Sequence, residues 1–195
     1  MACLAERYGS GEVRLTPGQN LILTHVPDTQ LPDLLAEPLL RELRPDPSLA
    51  MRGTTACTGV GLCDLAMTDT KGDALKVAQR LERTLVLGRP IAINWSGCPA
   101  GCGNHHLADI GLQGAKARID GEVREVYQAF AGGRAGRGAR PATEVLNAIP
   151  AEELTDVVEQ LVRAHEAGQD LVKAAVAIAA ERETPTEISE TAAAA

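Results

Sequence analysis

The chain has 195 residues, of which 45% are apolar and only 2% aromatic, so a packed core must be built from Leu, Val, Ile and Ala. Residues 1–150 carry 16 basic and 16 acidic side chains, whereas residues 151–195 carry 3 basic and 10 acidic ones. The whole net charge of −7 therefore lies in residues 151–195. The neutral body argues against nucleic acid as a partner, because phosphate binding requires a basic face. No apolar run approaches the roughly 20 residues that cross a bilayer and no signal segment opens the chain, so we expect no membrane association and a location in the reducing cytoplasm.

The first 46 residues predict a small unit of two strands and one helix. Residues 12–16 alternate polar and apolar side chains, and residues 20–26 predict a second strand after a Pro-Gly turn. A helix is predicted from Asp28, as its N-cap, to about Leu43, with a bend at Pro38. Leucines recur there at helical spacing: Leu31, Leu34, Leu35, Leu39 and Leu43. Such a unit leaves a large apolar face uncovered, so we expect it to pack against a partner surface.

The proline-rich connector at residues 44–47 marks the first domain boundary. A strand predicted at residues 49–55 leads to Cys57. A helix follows at residues 69–87, and a short buried strand at residues 91–95 leads to the second pair of cysteines. Both pairs are therefore expected at strand ends, where loops converge.

A hairpin is predicted in the next part of the chain. Residues 107–112 and 115–119 are expected to be extended, and an Asp-Gly turn joins them to a strand at residues 122–130. A glycine-rich loop at residues 132–140 follows. Its arginines are either simply solvated or able to reach an acidic group: Arg134, Arg137 and Arg140.

Two helices are predicted near the end of the chain. Residues 151–167 form an amphipathic pattern that Pro150 opens, and a second helix is expected from Gly168 to about Glu183. Residues 184–195 are expected to be disordered because they are acidic and carry few large apolar side chains.

Four of the five cysteines form two glycine-flanked pairs, Cys57 with Cys63 and Cys98 with Cys102. Four thiolates match the ligand count of a 4Fe-4S cluster. Structural zinc is an alternative, although its cysteines are usually two to four residues apart, whereas five residues separate the first pair here. Inert buried thiols would not explain the flanking glycines, which let backbone approach a bulky cofactor. Disulfides are not expected without an oxidising compartment.

Two cysteine segments resemble the sirohaem and 4Fe-4S motifs of assimilatory nitrite and sulfite reductases. They read Thr55-Ala56-Cys57-Thr58-Gly59 with Cys63, and Trp95-Ser96-Gly97-Cys98-Pro99-x-x-Cys102-Gly103. The opening segment, residues 8–20, resembles the ferredoxin-like half-domain of the same family. The resemblance covers roughly residues 4–165 and is closest to the ferredoxin-dependent nitrite reductases.

The resemblance implies an α+β fold in three parts. Residues 1–46 would be the ferredoxin-like half-domain, residues 47–168 the sirohaem and 4Fe-4S-binding α/β domain, and residues 169–195 a tail that is helical and then disordered. The implied activity is the six-electron reduction of nitrite to ammonia with electrons from ferredoxin. Sulfite reduction and the chemistry of a cobalamin-pathway relative are alternatives.

The resemblance also implies a set of cofactor contacts. The cluster ligands would be Cys57, Cys63, Cys98 and Cys102, and the Cys102 thiolate would also be the axial ligand of the sirohaem iron. Thr58 and Asn104 are expected to hydrogen-bond cofactor carboxylates, although Thr58 can equally cap its own loop. Arg52, placed on the strand before the first pair, would pair either with a sirohaem carboxylate or with a surface acid.

No cofactor contact is assigned to the two histidines that follow the second cysteine pair or to the fifth cysteine. His105 and His106, expected on a strand, would point to opposite sides, and a solvated or hydrogen-bonded role is favoured for both. Cys3 lies outside the motif and is expected to be a free thiol.

The chain also departs from the family. Family enzymes repeat the half-domain and sirohaem-domain pair, whereas this chain has one copy that resembles the second. Most of the basic residues that grip sirohaem and substrate come from the first copy, so no catalytic residue is assigned here. We therefore expect either a homodimer or pairing with a first-half polypeptide. The non-enzymatic alternative is a fragment or electron-transfer subunit that needs a partner chain for catalysis.

Overall fold

The computed structural model describes residues 1–182. The chain divides into two compact units, Met1–Pro47 and a second unit that begins at Ser48. Both units combine helices and strands, which agrees with the α+β prediction. The segment 184–195, predicted to be disordered, lies outside the described residues. Among the residues described, no helix is long and apolar enough to span a bilayer.

The first unit is a short hairpin with small helices. Its elements are α1 Ala2–Tyr8, β1 Val13–Leu15, β2 Leu21–Leu23, a 3-10 turn Asp28–Gln30, α2 Leu31–Leu35 and α3 Leu39–Glu42. Strands β1 and β2 pair antiparallel, as the sequence predicts. The single helix predicted over this region is instead broken before Pro38, because proline lacks an N–H and clashes with the preceding turn. Asp28 lies inside the 3-10 turn rather than capping a helix.

Helix α1 was not predicted. It is only seven residues long, which is too short for a periodic apolar pattern to develop. Its buried Leu4 and Tyr8 pack with Leu34 of α2 and form the small core of this unit.

The second unit is a five-stranded mixed sheet with helices. Its elements are α4 Leu49–Gly53, β3 Thr54–Ala56, α5 Thr70–Thr84, β4 Ile93–Ser96, β5 Ile110–Ile119, β6 Glu122–Ala131, β7 Thr143–Pro150, α6 Leu154–Glu166 and α7 Leu171–Glu181. The strand order is β3-β4-β5-β6-β7, with β3, β4 and β5 parallel and β5, β6 and β7 antiparallel. The Asp-Gly hairpin prediction is confirmed, because Asp120 and Gly121 connect β5 to β6 with φ of 52° and 83°.

The two faces of this sheet differ in chemistry. Apolar strand residues at alternate positions pack with α5, α6 and α7 in the main core: Ile93, Trp95, Ile110, Leu112 and Tyr127. The residues between them occupy the opposite face, since side chains alternate along a strand: Asn94, Ser96, Gly111, Gln113 and Phe130. The face away from the helices is thus the more polar one.

The predicted strand at residues 49–55 is wrong over most of its length. Residues Leu49–Gly53 form α4, and only Thr54–Ala56 are extended. Ser48 starts the helix, because its hydroxyl accepts a hydrogen bond from the N–H of Met51 at 3.3 Å. The capping serine overrides the strand preference of the residues that follow.

Strand β7 was missed by the sequence analysis. Its pairing with β6 is irregular, with register shifts on either side of Ala129, and Ala148 has a φ of 50°. A bulge interrupts the alternation by which a strand is recognised. Pro150, predicted to open a helix, ends β7 instead by pairing with Val126, and α6 begins only at Leu154.

Candidate metal centre

Two cysteine loops leave the sheet at one edge. Strands β3 and β4 are parallel, with Ala56 opposite Trp95, so their carboxyl ends lie side by side. Cys57 follows β3 directly, and its N–H donates to the carbonyl of Trp95 at 2.9 Å. We call residues 57–63 the first cysteine loop and residues 97–103, which follow β4, the second cysteine loop. The prediction that each pair follows a strand is confirmed.

One hydrogen bond to sulfur joins the two loops. The N–H of Gly97 donates to Sγ of Cys57 at 3.1 Å, across forty residues of sequence. Oγ1 of Thr70 lies 3.7 Å from the same sulfur and donates to the Cys57 carbonyl at 2.9 Å. The N–H of Met67 donates to the carbonyl of Gly97 at 2.7 Å. Cys57 is therefore bound at its sulfur to the start of the second loop, and at its backbone to β4 and α5.

The other cysteines are less enclosed. Cys63 and Cys98 are half-buried, Cys102 and Cys3 are exposed, and all five thiols are free. Within residues 1–182, no three His, Cys, Asp or Glu side chains lie together as ligands of one ion. The chemistry of the donor set suits an iron–sulfur cluster, because four cysteine sulfurs occupy two adjoining loops. The complete four-cysteine ligand set stays a prediction.

Two glycines of the second cysteine loop are required by protein packing, and the role of the loop glycines in the approach of a cofactor stays a prediction. A Cβ on Gly97 would lie 3.0 Å from Cβ of Ala66, and one on Gly103 would lie 2.0 Å from the carbonyl oxygen of Trp95. Real Cβ atoms do not come as close as the second of these distances, so Gly103 admits no larger residue without movement of β4. Glycine lets the second cysteine loop fold back onto its own strand.

The three residues predicted to contact cofactor carboxylates lie in different places. Thr58 is exposed in the first cysteine loop. Asn104 is exposed directly after the second loop, in a left-handed conformation with φ of 56°, and its carbonyl accepts from Nδ2 of Asn94 at 3.2 Å. Arg52 is exposed in the last turn of α4, not on a strand as predicted. Their roles toward a cofactor stay predictions.

The two histidines after the second loop belong to a 3-10 turn, His105–Leu107, so the expectation of opposite directions is wrong. Their ring centres are 3.8 Å apart, and both rings pack against Phe130 of β6. His105 is fully buried and His106 is exposed. Burial, reinforced by the neighbouring His106, lowers the pKa of His105 to about 4. His105 is therefore a neutral imidazole at pH 7.

Ser96 connects this imidazole to the second cysteine loop. Its Oγ lies 2.8 Å from Nδ1 of His105 and accepts the N–H of Gly103 at 3.1 Å. Sequence reasoning missed this pair as a unit. The available signal was a hydroxyl residue at the end of a buried strand, immediately before Gly97 and Cys98.

The arginine loop is an ordered hairpin rather than a loose loop. Arg134 and Arg140 exchange backbone hydrogen bonds of 2.9 and 3.0 Å, and Nε of Arg140 donates to the Gly132 carbonyl at 2.7 Å. The N–H of Ala142 donates to the carbonyl of His106 at 2.7 Å, which anchors the hairpin to the turn after the second cysteine loop. Within residues 1–182, no carboxylate forms an ion pair with the exposed side chains of Arg134 and Arg137.

Two family models match the chain. Residues 49–174 match the nitrite and sulphite reductase 4Fe-4S domain, and residues 1–40 match the nitrite/sulfite reductase ferredoxin-like half domain. The ferredoxin-like fold predicted for the start of the chain is thereby confirmed.

Curated relatives and a solved structure agree with these models. The ferredoxin–nitrite reductase of Synechococcus elongatus is 49% identical over 162 residues, which cover 83% of this chain and 32% of that protein. The chloroplastic ferredoxin–nitrite reductase of Zea mays is 41% identical over 165 residues, covering 83% and 29%. The structure of the Mycobacterium tuberculosis NirA protein matches with a TM-score of 0.78 and 29% identity, covering 93% of this chain and 34% of that one.

The chain thus spans about a third of the length of the curated relatives it matches. At the level of the family, the predicted pairing of a 4Fe-4S cluster with sirohaem is confirmed. The chain belongs to the nitrite and sulfite reductase family, and carries one ferredoxin-like half-domain followed by one 4Fe-4S domain.

Proposed function

We propose that this chain is the cluster-carrying part of a ferredoxin-dependent nitrite reductase. The cluster would be held by the four motif cysteines, Cys57, Cys63, Cys98 and Cys102, with Cys102 also as the axial ligand of the sirohaem iron. The observation that carries the proposal is the hydrogen bond from Gly97 to Sγ of Cys57, because it joins the two cysteine loops at a sulfur. The identity with ferredoxin–nitrite reductases supports nitrite over sulfite as the substrate.

The surroundings of Cys57 suit a sulfur that serves as a metal ligand. A cluster binds deprotonated cysteine, and a backbone N–H aimed at the sulfur stabilises the negative charge. Such hydrogen bonds to ligand sulfurs also shift the reduction potential of a bound cluster. When bound, the paired cofactors would supply the six electrons of nitrite reduction one at a time. The polypeptide would supply the ligands, the fixed N–H of Gly97 and the scaffold that holds both loops at one sheet edge.

Three exposed residues beside the loops are proposed as contacts for sirohaem carboxylates. Thr58 and Asn104 carry hydrogen-bonding side chains directly after Cys57 and two residues after Cys102. Arg52 carries the positive charge, near the start of β3. We assign residues 1–46 to the half-domain, 47–168 to the cofactor domain and 169–195 to the tail.

The chain spans about a third of the length of its relatives, so we infer that residues outside the matched segment take part in catalysis. We propose a first-half polypeptide or, failing that, a second copy of this chain, which would bring the basic residues that bind the oxyanion. The exposed apolar residues of the first unit support such pairing, since Leu15 is 80% exposed, Ile22 49% and Leu43 50%.

The proposed electron donor is a ferredoxin or a similar acidic protein. Arg134 and Arg137 lie on a hairpin whose backbone is fixed, and no acidic residue occurs between Glu125 and Glu144. Opposite charge steers an acidic partner to such a surface. The hairpin is hydrogen-bonded to the turn that follows the second cysteine loop. A donor bound to the hairpin would therefore lie beside a turn that is only a few residues along the chain from Cys102.

Anaerobic purification tests the proposal directly. Iron, acid-labile sulfide, zinc, the visible spectrum and the mass in solution are measured on the same sample. We expect one 4Fe-4S cluster per chain, and Cys57→Ser should lose it while Cys3→Ser, the matched control outside the motif, should keep it. A protein that contains zinc and no iron overturns the proposal.

Nitrite-dependent oxidation of a reduced dye then separates the enzyme from the electron-transfer subunit. Turnover by the chain alone, as a dimer, would support the complete enzyme. A cluster without turnover until a first-half polypeptide is added would support the subunit.

A further inference from the structure

We propose that Ser96 and His105 form a buried dyad that positions the second cysteine loop. The dyad acts from the buried side of the loop, next to the two residues that flank Cys102. The inference rests on the proposed function for its relevance to the cluster, and on hydrogen bonds and packing for its geometry. Both are positioning residues, because neither is offered as a ligand.

The hydroxyl of Ser96 has a defined hydrogen-bonding arrangement. Its Oγ accepts the N–H of Gly103 at 3.1 Å and lies 2.8 Å from Nδ1 of His105. A hydroxyl has one proton and two acceptor lone pairs, so it binds both groups at once with either tautomer of the neutral imidazole. Ser96 and His105 are 1% and 0% exposed, so water does not compete for these groups.

The dyad reaches both residues that flank Cys102. Gly103 is fixed through its N–H by Ser96. On the other side, Cε1 of His105 lies 3.6 Å from the position that a Cβ of Gly101 would take, so the imidazole is close to that glycine. Cys102 itself is exposed, yet the residue after it is bound by Ser96 and the residue before it lies close to His105.

The imidazole is poorly suited to a purely structural role. Its ring lies against His106 and Phe130, with ring centres 3.8 and 4.9 Å away. Its Nε2 is buried and has no hydrogen bond of ordinary geometry within residues 1–182, although the side chain of Gln113 acts on the ring. A buried polar atom that lacks a full hydrogen bond is destabilising. The imidazole is therefore explained by the contact of its Nδ1 with Ser96.

A consequence follows for the cluster proposed here. Hydrogen bonds near ligand sulfurs set the reduction potential of an iron–sulfur centre. As long as Ser96 binds the N–H of Gly103, that N–H is directed toward the strand and away from sulfur. Loss of the hydroxyl frees it to bond a sulfur, which favours the reduced, more negative cluster. Disrupting the dyad should therefore raise the potential.

The test uses the full chain, prepared anaerobically, in five forms. They are the wild type, Ser96→Ala, Ser96→Thr, His105→Phe and His106→Phe. Ser96→Thr keeps the hydroxyl, and His106→Phe makes the same ring substitution one residue away on the exposed histidine. Iron content, circular dichroism and the midpoint potential, from a redox titration followed by electron paramagnetic resonance, are measured on each.

We expect Ser96→Ala to fold and retain iron but to show a raised potential and an altered resonance signal. His105→Phe keeps the Ser96 hydroxyl and removes only the ring that orients it, so its potential should rise in the same direction but by less. Ser96→Thr should restore the wild-type potential, and His106→Phe should leave it unchanged. Wild-type potentials in both disrupted variants, or an equal shift in His106→Phe, would overturn the dyad.

Hydrogen exchange of the Gly103 amide, measured by nuclear magnetic resonance on the same proteins, decides the question independently of iron. The amide should be protected in the wild type and in Ser96→Thr, and should exchange at least tenfold faster in Ser96→Ala. A wild type without iron but with this exchange pattern means that the proposed function fails while the dyad stands. A wild type that binds iron but shows no protection of the Gly103 amide means that the dyad fails while the proposed function stands.

Discussion

The two cysteine loops leave the same sheet edge, but the protein holds them in different ways. In the second loop Gly97 and Gly103 are buried, and Ser96 and His105 support the loop from below. In the first loop the sulfur and carbonyl of Cys57 are bound, and the N–H of Val60 donates to the Thr68 carbonyl at 3.1 Å. The part after Val60 is open, with Leu62 85% exposed.

This difference assigns different tasks to the loops. The shape of the second loop is set by the fold itself, so it would be in place before any cofactor arrives. The open part of the first loop contains Cys63 and has few contacts of its own to define it. Metal binding commonly completes the folding of such segments. We infer that the second loop acts as the preformed side of the proposed centre and that the first loop closes onto it.

The largest effect is expected from the cysteines, and it tests whether the loops serve one centre. Cys63→Ser in the open loop should abolish the cluster as completely as Cys102→Ser in the supported loop, because a 4Fe-4S cluster needs four ligands. Iron per chain should fall to roughly a tenth of the wild-type value or less in both. If only the Cys102 variant loses iron, Cys63 is not a ligand and the two loops do not share a cluster.

A pair of glycine substitutions measures the difference in support between the loops. Gly103→Ala places a Cβ 2.0 Å from the Trp95 carbonyl oxygen, so β4 must shift, at a cost of about 3 kcal/mol. Gly61→Ala meets no atom within 4 Å and suffers only from its φ of 99°, at a cost of about 1–2 kcal/mol. Urea unfolding of both variants gives the two values. Equal losses would mean that the second loop is no better supported than the first.

The sequence predicted the parts of this site that depend on residue identity and strand order. The cysteine spacing, the two strands before the loops and the Asp-Gly hairpin all follow from local patterns. The contact between Ser96 and His105 was not predicted, because it forms only when the chain folds back over the sheet after Cys102. No periodicity in the sequence encodes that step. Arg52 was misplaced because a capping serine, Ser48, began a helix where the apolar pattern favoured a strand.

The buried imidazole should make the stability of the second unit depend on pH. His105 has a pKa of about 4 in the folded chain, below the ordinary value near 6.5 that it regains on unfolding. The unfolded state therefore binds the proton first as the pH falls, and stability is lost progressively between pH 6.5 and 4. Between pH 7 and pH 5.5 the free energy of unfolding should fall by about 1 kcal/mol from this group.

Urea titrations at the two pH values, on the wild type and on His105→Phe, isolate that contribution. The variant should lose the part of the pH dependence that comes from residue 105, whereas His106→Phe, which changes the exposed ring, should keep it. An unchanged pH dependence in His105→Phe would show that residue 105 titrates normally and is not buried as a neutral base.

The smallest effect is expected from the arginine hairpin. It is anchored to the turn that follows the second cysteine loop. Arg134→Gln with Arg137→Gln removes two exposed charges, and Arg140 is left intact because its Nε holds the Gly132 carbonyl. If an acidic donor docks there, its rate of electron delivery should fall roughly five- to tenfold at low salt, and the difference should shrink as salt screens the charges. Delivery from a small neutral dye should not change, and Arg83→Gln on the exposed side of α5 serves as the matched charge control. Equal slowing with the dye would place the defect in the loop rather than in docking, because only a protein donor senses the charge of the hairpin.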